Sequence, residues 1–180
     1  MTRIEELVVV PATPAQAMRA LLTVKRAQDW MAPDVHLVPH TSTPVLGAGD
    51  HFALELFGGL RFEYVIEATS DREVAFTYDG PWRGEERWSF VADGAETLVR
   101  RSYEVHGGSP LAALAWGTVG RAVVAMHMRF ELSRLKSAIQ RDPGPRGEIE
   151  ATSGPLRSVP DGSAQKEDGA ARPSFPVDDG

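Results

Sequence analysis

Glu86 and Arg101 are the side chains in this sequence whose types and placement are best suited to chemistry. Both lie in segments that alternate apolar and polar residues, and both carry the parity of the apolar set: Glu86 with Trp88 and Phe90, Arg101 with Val99 and Tyr103. The intervening Asp93-Gly94 is a favoured two-residue hairpin turn. It predicts that Glu86 faces Arg101 directly, with Trp88 opposite Val99, Phe90 opposite Thr97 and Gly84 opposite Tyr103. Taking an acid and a base out of water costs several kcal/mol per ion and is seldom more stabilising than apolar packing, so a paired charge on an apolar face asks for a functional account. Tyr103, Tyr78 and Tyr64 share the alternation and can bring hydroxyls to the same place. Together these groups can orient a polar group of a ligand, polarise a carbonyl, or move a proton during enolisation and ring closure, with Glu86, Arg101 and Tyr103 as the catalytic candidates. The alternative is a pair at the open end of a sheet, partly wet, that only fixes strand pairing.

Other chemistries lack their residues. The chain has no cysteine, which removes thiolate nucleophiles, disulfides and cysteine zinc sites. His36 and His40 are spaced as on a helix but sit on a predicted strand with Pro39 between them; His51 and His106 have the parity of outward residues, and His127 falls away from the Leu132 stripe, so each reads as a surface histidine. No metal site and no cofactor is expected. There is no nucleophile elbow, phosphate-binding loop or dinucleotide glycine fingerprint. The net charge of −6, without a basic cluster, argues against nucleic acid.

The elements that must hold these residues follow from pattern. Ile4 to Val10 reads as a strand and Pro11 ends it; Thr13-Pro14 opens a short helix with the stripe Ala17, Met18, Leu21 and Leu22, and a second runs from Val24 to about Met31 on Trp30. Strands are predicted at 35–42, 49–57, 61–69, 73–79, 82–92 and 96–106. The apolar pattern around Gly58-Gly59 selects a register pairing Leu56 with Phe62, Leu54 with Tyr64 and Phe52 with Ile66. One sheet face is then aromatic and aliphatic, and the other, with Glu63, Glu85, Arg87, Arg100 and Ser102, faces water.

Ser109, an N-cap, and Pro110, suited to the first helical position, open one long helix that nothing breaks before Pro143. At about 1.5 Å per residue it is on the order of 45 Å long. Its stripe Leu114, Thr118, Ala125, Met128, Leu132, Leu135 and Ile139 is assigned to the sheet, and a space is expected between sheet and helix. Leu54, Phe62, Tyr64, Phe76, Tyr78, Trp88, Val99, Ala125 and Met128 are its predicted ligand-binding lining. A second stripe, Trp116, Val119, Val123, Met126 and Phe130, falls on the opposite side and points either to a homodimer or to burial under the protein's own loops.

Composition divides the chain at Asp142. Residues 1–141 form the expected domain; residues 142–180 are rich in Pro, Gly and acidic residues and too poor in apolar ones to offset chain entropy, so a disordered tail is expected. The tail holds eight acidic and four basic residues, leaving roughly −2 on the domain. The start, MTRIEELVVV, is not that of a signal peptide, and no apolar run is long enough to span a bilayer; a cytoplasmic location is expected.

The order strand, two short helices, six strands, long helix, together with Pro11-Ala12-Thr13-Pro14, Asp29-Trp30, Trp88-x-Phe90 and Leu132-x-x-Leu135-Lys136, resembles the START/Bet v 1-like (SRPBCC) superfamily, of the polyketide cyclase/dehydrase and lipid-transport type, over about residues 3–140. The Gly-Thr step into the seventh strand that many members carry is here interrupted, Gly94 and Thr97 being separated by Ala95-Glu96. The resemblance implies an α+β helix-grip fold, a curved seven-stranded antiparallel sheet wrapped on a long C-terminal helix around an apolar cavity. It implies binding of a hydrophobic small molecule, with polyketide-type cyclisation or dehydration as its most specific form. A non-catalytic carrier or sensor, or a co-chaperone akin to the Hsp90 activator, stays open because such folds host several functions.

Overall fold

The computed structural model describes residues 2–56 and 58–142; the predicted tail lies outside them apart from Asp142. Strand β1 (Thr2–Val10) is followed by helices α1 (Pro14–Leu22) and α2 (Val24–Trp30). Six strands come next: β2 (Val35–Pro39), β3 (His51–Leu56), β4 (Leu60–Thr69), β5 (Glu73–Asp79), β6 (Trp82–Asp93) and β7 (Glu96–Gly108). The described residues close with α3 (Pro110–Ala115), a π-helical turn (Trp116–Gly120) and α4 (Arg121–Arg141). All strands pair antiparallel in one sheet of order β1-β7-β6-β5-β4-β3-β2. The helix-grip architecture expected from sequence is the one observed.

Local chemistry sets the element starts. Thr13 Oγ1 accepts from the Gln16 amide while the Gln16 side chain accepts from the Thr13 amide, a capping box, with Pro14 in the first turn where no amide partner is lost. Ser109 caps α3 through the Ala112 amide at 3.2 Å. Met128, Leu132, Leu135 and Ile139 of α4 are buried with the inner sheet face, including Phe52, Ile66, Val74, Trp88, Phe90 and Val99. Trp30 reaches in from α2 and meets Trp88 edge to face at 5.8 Å, so the short helices close one flank of the core.

Both predicted hairpin registers are two residues out. The β6–β7 turn is Gly94-Ala95 rather than Asp93-Gly94: Asp93 pairs with Glu96, and Gly94 takes the φ of 60° that the first turn position needs. Trp88 therefore stands opposite Arg101, Phe90 opposite Val99, and Glu86 opposite Tyr103. Between β3 and β4 the chain reverses through Gly58 and Gly59, so Leu56 pairs with Leu60, Leu54 with Phe62 and Phe52 with Tyr64. An even shift preserves parity, which is why every residue assigned to the inner face still points there. Ser102, expected to face water, is buried because it stands between the long neighbours Glu5 and Arg87.

The long helix is not uniform. Its π turn inserts extra backbone between α3 and α4 and rotates the residues before it relative to those after it. Trp116 consequently leaves the outer stripe predicted for it and is buried against Trp82, at 5.5 Å between ring centroids, and Tyr103, at 6.1 Å. Leu114 and Thr118, predicted to face the sheet, are exposed for the same reason. No helix among the described residues is long and apolar enough to cross a membrane.

Candidate functional site

Three elements converge on Arg101. From β7 its guanidinium extends inward over the Trp88 ring, 4.8 Å from the centroid, where ring quadrupole and cation attract. Arg101 Nε donates to Glu86 Oε1 of β6 at 2.8 Å, and Nη1 donates to Glu131 Oε2 of α4 at 2.5 Å. The observed register makes Glu86 and Arg101 diagonal neighbours rather than opposite ones, and the long guanidinium spans the difference. The side chains of Arg101, Glu86 and Glu131 are 9%, 5% and 7% exposed, so the cluster is interior and the alternative of a wet pair at the sheet's end is excluded.

The carboxylates are further engaged. Trp88 Nε1 donates to Glu86 Oε1 at 2.5 Å, Tyr64 Oη donates to Glu86 Oε2 at 3.2 Å, and the Ala32 amide donates to Glu131 Oε1 at 3.3 Å. The loop after α2 is thereby tied to α4. Burial opposes charge on Arg101, but the facing Glu86 and Glu131 outweigh it and hold the guanidinium above its ordinary value, firmly charged. Burial pushes the Tyr103 hydroxyl up to about 12 and raises Tyr64 and Tyr78 further, so near neutral pH all three are intact hydroxyls.

Two cavities flank the cluster. One, of about 40 Å³, lies beneath α1 and α2 among Leu21, Leu22, Trp30, Met31, Leu37, Leu46, Phe52, Phe76, Glu86 and Trp88. The other, of about 70 Å³, lies beside the first half of α4 among Val35, Leu56, Phe62, Trp82, Tyr103, Val124, His127 and Met128. Leu54, Tyr64, Arg101 and Glu131 line both and form a septum between them. A water occupies about 30 Å³ of liquid and small-molecule pockets run from about 300 Å³, so the interior has room for a few waters and is not one open chamber. A larger hollow of about 640 Å³ is an open surface cleft around Asp34, His36, Glu55 and Arg61, away from the cluster.

Of the predicted lining, Leu54, Phe62, Tyr64, Phe76, Trp88 and Met128 border a cavity, as do Glu86, Arg101 and Tyr103. Val99 is buried in the sheet away from both, Ala125 borders neither, and Tyr78 spends its hydroxyl on the Glu104 carbonyl at 2.7 Å. Tyr103 accepts a hydrogen bond from Trp82 Nε1 at 3.0 Å. His127, predicted at the surface, is half-buried at the second cavity, 3.9 Å from Asp34. Glu131 and Trp30 are site residues that sequence reasoning did not single out. The signal for Glu131 was available: it lies three residues after Met128 and four before Leu135, on the buried stripe. Among the described residues no cluster of His, Asp or Glu could hold a metal ion.

Residues 1–140 match the family described as polyketide cyclase / dehydrase and lipid transport. This chain belongs to that family. No curated protein matches the sequence. Similar solved structures include TTHA0849 from Thermus thermophilus, at 16% identity and TM-score 0.63 over 78% of this chain and 98% of that one. Ara h 8.0201 superposes at 12% identity and TM-score 0.59 over 78% and 99%. DynU16, from the dynemicin biosynthetic locus, superposes at 16% identity and TM-score 0.58 over 79% of this chain and 48% of its own, so this chain spans about half of it. These likenesses carry the fold. Membership of the polyketide cyclase/dehydrase and lipid transport family supports a ligand-binding function.

Proposed function

We propose that this protein binds an apolar small molecule by parting the septum and joining its two cavities around Arg101, and that it catalyses acid-base chemistry of the polyketide cyclisation or dehydration type. The observation that carries the reading is a buried, charged Arg101 flanked by two carboxylates between voids lined by aromatic and aliphatic side chains. Arg101 would hold a ligand carbonyl as negative charge grows on its oxygen during enolisation. Glu86 would take the proton from the adjacent carbon; the enolate carbon would attack a second carbonyl of the same molecule, and the Tyr103 hydroxyl or the protonated Glu86 would protonate the resulting alkoxide. For dehydration Glu86 would take a further proton from the carbon next to the hydroxyl-bearing one and pass it to that hydroxyl, which leaves as water as the double bond forms, without oxidant or reductant.

A second reading, a carrier or sensor with no bond-making step, is favoured by one specific feature: every carboxylate oxygen of the cluster already accepts a hydrogen bond. Arg101→Met and Glu86→Gln, made separately, distinguish the readings. Catalysis predicts that turnover of a poly-β-ketone substrate falls by about 100-fold or more with affinity within a few-fold. A carrier loses affinity alone, and unchanged binding and turnover in both variants would end the paired-charge idea.

The partner we propose is a second copy, through the helical face of Val119, Val123, Met126 and Phe130. All four are exposed, and Leu114 extends the face in place of Trp116.

A further inference from the structure

Two residues that line the first cavity, Trp30 and Arg101, each have a donor with no hydrogen bond. Trp30 is 4% exposed, lines this cavity, and its Nε1 has no hydrogen-bond partner. A buried N–H without an acceptor costs on the order of 1–3 kcal/mol, so it marks a place where an acceptor is expected. Arg101 lines the same cavity with Nε committed to Glu86 and Nη1 to Glu131, which leaves the Nη2 donors uncommitted. The carboxylate oxygens nearby are all engaged. With its ion pairs formed the cluster carries a formal charge of −1, two carboxylates against one guanidinium. A further anion would be repelled where water screens little.

We infer that Trp30 Nε1 and Arg101 Nη2 form an acceptor-binding subsite in the cavity beneath α1 and α2, and that it takes a neutral carbonyl oxygen at one end of an otherwise apolar molecule. This rests on the reading that the interior binds a ligand and adds which end goes where. The carbonyl enters under the short helices while the apolar body lies across the septum toward Phe62 and Met128. At about 40 Å³ the cavity has room for the oxygen, which supplies the acceptor that the indole N–H lacks.

The test uses three naphthalenes of near-equal shape: 2-acetylnaphthalene, a ketone; 2-isopropenylnaphthalene, with CH₂ in place of the oxygen; and 2-naphthoate, an anion. Affinities are measured by calorimetry for the full chain and for Trp30→Phe, and the four tryptophan indole N–H signals are followed by ¹H–¹⁵N NMR, with Trp30 identified by its loss in the variant. The expected result is a ketone binding about tenfold tighter than the alkene, a preference reduced to about twofold by Trp30→Phe, as one hydrogen bond would give. The Trp30 indole proton should shift downfield with ketone and not with alkene. Equal affinity for ketone and alkene, an unmoved Trp30 signal at saturating ketone, or naphthoate binding tightest would overturn the subsite while leaving cavity binding intact. Binding of none of the three would remove the cavity reading and the subsite with it. Should Trp30→Phe fail to fold, the indole shift in the unaltered protein decides.

Discussion

Arg101 is the residue on which the interior turns, because three separate elements commit polar atoms to it or to its partners. Both carboxylates offset the cost of burying its charge, so each partner matters more than a surface ion pair would. Glu131→Ala leaves Arg101 paired with Glu86 but strands the Ala32 amide and Arg101 Nη1; it should destabilise the protein by about 2–4 kcal/mol. Glu131→Gln keeps one acceptor and turns the other oxygen into an NH2 that faces a donor, and should cost about 1–2 kcal/mol. Urea unfolding measures both, and an alanine cost below about 1 kcal/mol would show that the cluster is not held as described. Glu86 and Arg101 are legible in the sequence because strand parity is a two-residue code and both break it. Glu131 is not, when the helix is read through its apolar residues, because one acid at core spacing passes for surface among Arg129, Ser133 and Arg134.

At the scale of elements, strand existence and facing were legible from alternation, whereas pairing was not. Turn composition at Asp93-Gly94 and Gly58-Gly59 allows registers two residues apart with identical facing, so the apolar pattern cannot choose between them. The π turn was likewise invisible: Trp116-Gly117-Thr118-Val119-Gly120 carries ordinary helical spacing, and the insertion shows only in which residues end up buried. Its consequence is a cleaner outer face, with Trp116 turned inward and Leu114, Val119, Val123, Met126 and Phe130 turned out. Light scattering checks the proposed use of that face. The unaltered chain should have twice the monomer mass, and a Val123→Asp, Met126→Asp double variant should be monomeric, since each carboxylate would lose its hydration in the interface. A monomer mass for both would exclude this dimer.

For the whole molecule, the fold was readable because each level agreed: helix caps, alternation and the apolar stripe of α4 all specify one sheet gripping one rod. The size of the interior was not readable. Alternation states which side chains face inward but not how completely they fill the space, and here large aromatic rings leave only two small voids beside the cluster. Binding therefore requires the septum of Leu54, Tyr64, Arg101 and Glu131 to part, and the occupied state must contain space that the empty one lacks. Native mass spectrometry of the freshly purified full chain addresses that claim most directly. A noncovalently held small organic molecule, released on collisional activation and absent from a Leu54→Trp variant whose added ring fills the septum, is the predicted result. A spectrum showing the bare polypeptide mass alone, unchanged after incubation with 2-acetylnaphthalene, would contradict it.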